Sequence, residues 1–249
     1  NITYYYRVTS VDVVGNESDF SNEVSATPEG IPVWYVNGAT GADVTNNGAE
    51  SAPFATIQRG ITATIDGDTV SVAAGTYVEN IDFNGKNIVV LGENRETTII
   101  DGDSSGSVVT FESGEDSSAV LSGVTLQNGS ATVNGGGIYC NNSNPTDSNI
   151  IIKYNTAGNS GGGLYINNST FTVNNAIISS NTAANDGGGI RCVNSELKIS
   201  FSEITNNACG SGGVGIGYGY ESTSNLGKVS IINNNDNYGA GLFLGEGSS

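Results

Sequence analysis

Catalysis draws on few residue types, and this 249-residue chain lacks some of them: it has no His, no Met and three Cys. Without imidazole, a Cys or Ser nucleophile has no ordinary base, and soft ligands for zinc, copper or haem iron are scarce. Carboxylates are plentiful, with 25 Asp and Glu against 8 Lys and Arg. An inverting glycosidase would need two carboxyls about 6.5–9.5 Å apart across one bond. A calcium-dependent lyase would need several acids around one cation and a Lys or Arg as base, and an esterase two Asp and an Arg. Asp147, Glu196, Glu203 and Glu221 share no outward position in adjacent rows of the repeat described below. Lys86, Arg95, Lys153, Arg191, Lys198 and Lys228 share no column with an acid cluster. Asp101-Gly102-Asp103-Ser104 and Glu115-Asp116 offer the oxygens that calcium takes in turns, which makes Asp101 and Asp103 the candidate calcium ligands. A solvated acidic loop is the plainer explanation.

The formal charge of −17 repels phosphate backbones and anionic lipid surfaces, so neither nucleic acid nor membrane insertion is expected as a partner mode. No apolar run approaches the ~20 residues that span a bilayer. Gly accounts for 36 residues and Pro for 4, with no Gly-X-Y period, which excludes collagen and assigns the glycines to turns.

Rows of 26 residues bring Ile138, Leu164, Ile190, Ile216 and Leu242 into one column, and Cys140, Ile166, Cys192, Tyr218 and Leu244 into another two places later. A third column holds Ile100, Leu126, Ile152, Ile178 and Ile204. Each row also carries a further apolar run, such as Phe171-Thr172-Val173. Three short strands and three turns per row predict an all-β, right-handed parallel β-helix with three-sided coils stacked ~4.8 Å apart. The triplets Gly135 to Gly137, Gly161 to Gly163 and Gly187 to Gly189 mark turns, and Asn155, Asn181, Asn207 and Asn233 line up as an amide ladder, with a second Asn column at Asn142, Asn168 and Asn194. Cys140 and Cys192 stand two rows apart, ~9.6 Å by the coil spacing, beyond reach of a disulfide. Between the first two core columns runs an outward one: Tyr139, Tyr165, Arg191, Gly217 and Phe243. Aromatic rings one coil apart form an amphipathic strip of the kind on which sugars stack, with Arg191 placed to lie on Tyr165, so Tyr139, Tyr165, Arg191 and Phe243 are the candidate glycan-binding residues. Cross-strand packing that only stabilises the sheet is the alternative.

Upstream, Phe54, Ile57, Ile61 and Ile65 recur at helical spacing after Ser51 and Pro53, which predicts a short helix with Ser51 as N-cap and a stop at Asp66-Gly67. Such a helix would cover the open first coil. The stretch WYVNGATGAD…SAPFATIQ…GDTVSVAAGTYVENIDFNGKNIVVLG resembles the opening region of pectin-lyase-like β-helix proteins, including the segment called DUF1565. GGGIY…NTAGNSGGGLY…SSNTAANDGGGIR resembles the repeats of polymorphic outer-membrane protein passengers. Ile178-Ser179-Ser180-Asn181 stands where that family has Phe before Asn, so the resemblance implies architecture and surface exposure. YYYRVTSVDVVGNESDFSNEVSATP resembles the last two strands of a fibronectin type III domain, with Tyr4 at the tyrosine corner and strands over 4–11 and 22–27.

Together these resemblances imply a secreted or cell-surface bacterial protein. Residues 1–28 are expected to end a fibronectin type III domain, residues 29–249 to form the β-helix, and further domains and coils to lie upstream and downstream. The leading expectation is a non-catalytic, adhesin-like surface for polysaccharide or cell-surface glycan, with calcium as a possible cofactor. The alternative is a fragment of a polysaccharide lyase or glycoside hydrolase with catalytic coils partly outside the chain.

Overall fold

The computed structural model describes residues 4–26, 32–234, 241–245 and 247–248, in two compact units, 1–32 and 33–249. In the first, Tyr4–Tyr6 pairs antiparallel with Val24–Ala26. These strands are shorter than the alternation of aromatic and β-branched residues predicts, and Tyr5, Tyr6, Val8, Val11 and Val24 are all exposed. Among the described residues of this unit no second layer covers the apolar face, and two short strands alone give the pattern little to extend upon. The side chain of Tyr4 and the expected end of the second strand at Thr27 lie outside the described residues.

The second unit is a right-handed parallel β-helix. Its first sheet runs from Val33–Val36 through eight parallel strands to Thr223–Gly227. A second sheet runs from Gly75–Val78 to Ser230–Ile232, and a third from Ile81–Asp82 to Leu242–Leu244, with seven strands each. A fourth, of four two-residue strands from Ser130–Ala131 to Ala208–Cys209, widens the turn between the second and third. Successive coils pair in the expected register, for example Ile138 with Leu164, Leu164 with Ile190 and Ile190 with Ile216. The three core columns point inward and are fully buried up to Ile216 and Tyr218, whereas Leu242 and Leu244 are about half exposed.

The interior columns include polar ladders. Asn155 heads the ladder, accepting from Gly129 N, and each later Asn accepts the backbone N–H and the side-chain amide of the Asn one coil earlier and donates to a second-sheet carbonyl: Asn181 Oδ1 receives Asn155 N and Nδ2, both at 3.0 Å, while its Nδ2 reaches Ile152 O at 2.9 Å. The fourth rung is Asn234, not the expected Asn233, because one extra residue enters after Val193 pairs with Gly219 and before Glu196 pairs with Thr223. Asn142, Asn168 and Asn194 occupy left-handed turn positions, at φ of 52°, 48° and 48°. The three cysteines form no disulfide. Burial raises the Cys140 thiol to about 12 and pushes Cys192 up as well, which keeps both as inert core thiols.

The helix spans Ile57–Ala63, and its N-cap is Thr56, whose hydroxyl accepts from Arg59 N at 3.3 Å, not Ser51. Phe54 is withheld from it: its backbone pairs with the edge strand at Val36, and its ring stacks on Trp34. Asp43 fixes the intervening bend by accepting from Ala55 N and Thr56 N. Ile65, expected on the buried stripe, is exposed beyond the helix end. The buried face, Ile57, Gly60 and Ile61, covers Val36 and Val70 of the first coils; a Cβ at Gly60 would lie 2.8 Å from Val70. Glu79 and Lys86 tie the two helix ends to later coils, the first accepting from Ile57 N and Gln58 N, the second donating to the carbonyls of Ile61, Thr62 and Thr64.

Candidate functional site

The outward face of the third sheet carries the predicted column in strand register: Asp82, Thr110, Tyr139, Tyr165, Arg191, Gly217 and Phe243 stand on successive coils. Tyr139 and Tyr165 are half-buried and stack with centroids 5.8 Å apart and planes within 4°. The turn before each strand lies against these side chains, which explains the leading glycine of each triplet. A Cβ at Gly161, whose φ is +69°, would sit 2.7 Å from Tyr165 Cβ, and one at Gly135, φ +71°, 2.9 Å from Tyr139 Cβ. Burial raises the pKa of both phenols, with the Glu112 carboxylate adding to the shift at Tyr139. Both rings therefore stay neutral in the physiological range. On the flank, Asn167 Nδ2 donates to Asn141 Oδ1 at 2.8 Å, so the strip is edged by ordered amides.

Arg191 does not stack on Tyr165 as the column order suggests. Its side chain extends over the following coil and pairs with Asp186. Gly217 and Gly219 make the room: a Cβ at Gly219 would meet Arg191 Nη2 at 2.5 Å. A nearby carboxylate holds a guanidinium more strongly than a ring face does. Phe243, half-exposed, is separated from the tyrosines by Arg191 and Gly217, so among the described residues the four candidates form an aromatic pair, an arginine in an ion pair and a separate ring instead of one continuous strip.

The candidate calcium ligands have other occupations. Asp101 Oδ2 accepts from Gln127 Nε2 and Asn128 Nδ2, both at 2.8 Å, and Oδ1 from Asp103 N at 3.0 Å. Partial burial works against ionisation of Asp101, but these donors outweigh it and hold its pKa below the usual value. Asp103 is exposed in a left-handed turn. Glu115 belongs to no solvated loop: it is fully buried and accepts from Gly85 N, Ser113 N and Ser143 Oγ, heading an interior ladder of Ser143, Ser169, Ser195 and Ser222. Among the described residues, no three His, Cys, Asp or Glu side chains group as a metal site. Asp147, weighed above as a catalytic acid, points inward and is fully buried.

Several hollows flank these elements, two of which border the features just described. A cleft of about 520 Å³ between residues 35–53 and the first sheet is bordered by Glu50 and Glu93, and Glu93 Oε2 there accepts from Ala74 N at 3.0 Å. A recess of about 410 Å³ beside Tyr139 is lined by Gly106, Ser107, Ala131, Thr132, Val133 and Asn134. Its origin is a change in turn length. Ten residues, 128–137, join the second and third sheets in the coil of Tyr139, where seven, 102–108, do so in the coil before, and the longer turn overhangs the shorter. The 26-residue period carries no trace of this step, because the difference lies before the period becomes regular.

Residues 39–84 match the family model described as a protein of unknown function, DUF1565. No curated protein matches the chain. Among solved structures it is similar to pectin methylesterase from carrot, at 17% identity and a TM-score of 0.45, over 81% of this chain and 65% of that one. It is also similar to a pectin methylesterase in complex with hexasaccharide VII, at 14% identity and 0.43, over 77% and 70%. A rhamnogalacturonan lyase shows 14% identity and 0.46, over 86% and 62%. The chain thus spans slightly less than two thirds of the length of the carrot protein. No helix among the described residues is long and apolar enough to cross a membrane.

Proposed function

We propose that this chain is a non-catalytic, secreted or cell-surface β-helix that binds polysaccharide on the outward face of its third sheet. The observation that carries the reading is the Tyr139–Tyr165 pair, two half-buried parallel rings held on adjacent rigid strands and edged by side-chain amides. Aromatic surface placed without conformational freedom loses little entropy when a sugar ring packs against it, and flanking amides satisfy sugar hydroxyls. The antiparallel unit at residues 4–26 is proposed as the last strands of a fibronectin type III module, a reading supported by the apolar side chains it leaves uncovered.

Affinity electrophoresis through gels containing acidic or neutral polysaccharides, with calcium or with EDTA, tests the binding role. Retention by at least one polysaccharide is expected, and Tyr165→Ala should weaken it about fivefold, roughly 1 kcal/mol for one aromatic contact. EDTA should leave retention unchanged, since the Asp101 oxygens already have donors. Retention untouched by Tyr165→Ala would remove the site, and release of oligosaccharides during incubation would show that the chain is an enzyme.

A further inference from the structure

We infer that the recess beside Tyr139 is a subsite for one uncharged sugar unit, and that the polysaccharide taken by this face is neutral. The inference rests on the binding role proposed above and adds a location and a substrate class. One face of the Tyr139 ring is turned to Tyr165, so the flat strip offers a sugar little free ring face between the two. The recess borders the same ring from the side of the preceding coil, where Thr110, a small residue, is its strand neighbour.

The lining suits a sugar. Tyr139 and Val133 supply apolar surface, while Ser107, Thr132 and Asn134 supply hydroxyl and amide groups. Asn134 Oδ1 already accepts from Asn159 Nδ2 at 2.9 Å and from Ser160 N at 3.1 Å. That fixes the orientation of the amide and leaves its Nδ2 as a donor with no other partner among the described residues. A shaped hollow with apolar walls and a few oriented polar groups is the usual form of a small-ligand site.

Charge decides the class of sugar. No charged residue lines the recess. Along the outward column the one cation, Arg191, is neutralised by Asp186, and Asp82 and Glu112 add negative charge near Tyr139. A uronate carboxylate entering here would find neutral donors but no cation to offset its desolvation, in a chain whose formal charge is −17.

The test compares neutral glucans, mannans and galactans with polygalacturonate at low and high salt, using the intact chain, Tyr139→Ala, Thr132→Trp and Tyr165→Ala. Thr132 is exposed on the overhanging turn, so the Trp fills the recess without entering the core. Expected is retention by a neutral polysaccharide, insensitive to salt and reduced at least fivefold by both Tyr139→Ala and Thr132→Trp, with no retention by polygalacturonate at low salt. Neutral retention that survives Thr132→Trp but falls in Tyr165→Ala would overturn the recess and spare the sheet. Binding of polygalacturonate that weakens with salt would overturn the neutral class. Failure of every polysaccharide to bind would remove both the subsite and the proposed role.

Discussion

Asp147 sits at an inward position between Leu121 and Val173, and neither of its carboxyl oxygens has a hydrogen-bond partner. Burial drives its pKa well above the usual value and outweighs the opposing effect of the Leu121 backbone, so the group is folded as the neutral acid. The sign of the linkage follows. In the unfolded chain Asp ionises near ~3.9. The contribution of Asp147 to stability is therefore fully present below that pH, and is lost progressively as pH rises toward and through its raised folded pKa. Asp147→Val should raise stability at neutral pH by about 2 kcal/mol, because a buried polar group without partners is replaced by the residue type of its own column. It should also flatten the decline above about pH 4. Urea unfolding across that range checks both, and an unchanged slope in the variant would place the titration elsewhere. The inward position was legible in the sequence, since Asp147 falls 26 residues before Val173 and 52 before Ile199. A carboxylate reads as surface until its column is consulted. The orientation of Arg191 was not legible in the same way: it depends on two glycines one coil later and a carboxylate from the preceding turn.

At the scale of single elements, the Asn ladder does what an apolar column cannot, pairing the turn's backbone groups inside the helix. Removing the side chain in Asn181→Ala leaves Asn155 N–H without its acceptor and takes one partner each from Asn155 Nδ2, which keeps Leu126 O, from Asn207 Oδ1, which keeps the backbone N–H of residue 181, and from Ile152 O. With the orphaned buried N–H costing about 1–3 kcal/mol, the weakened bonds adding to it and water filling part of the gap, the expected loss is roughly 2–4 kcal/mol. Chemical denaturation would measure it, and a loss under about 1 kcal/mol would mean the ladder is ornamental to stability. The helix shows where local reading fails. Its apolar spacing identified the element and its capping role, but Phe54 was counted as helical when the open sheet edge at Val36 offered it backbone bonds. Tertiary pairing outweighed local pattern there, and the cap moved to Thr56. The Asn column likewise slipped by one residue at its fourth rung, from Asn233 to Asn234, because a fixed period cannot register a single inserted residue.

Taken whole, the β-helix is a stack in which each coil contacts its neighbours, so its stability should be nearly a sum of coil and interface contributions. That makes removal of one complete coil a strong test of fold and function together. Deleting residues 168–193 joins Asn167 to Asn194, which occupies the same left-handed turn position as Asn168. The ladders close over the gap, with Asn155 meeting Asn207 and Ser143 meeting Ser195 in place of the rungs removed. The shortened protein should fold, with a smaller denaturant m-value in keeping with the surface it no longer buries. It loses Arg191 and Asp186 but keeps Tyr139, Tyr165 and the recess, so its retention by polysaccharide should match that of the full chain. Deleting residues 142–167 instead preserves the stacking equally well and removes Tyr165 alone from the pair, so this version should fold but bind more weakly. A deletion of half a coil serves as the control: it puts outward residues into the core and should not fold. If both whole-coil deletions fold and bind alike, Tyr165 serves only cross-strand packing, and binding belongs to parts that both versions keep, among them the recess beside Tyr139.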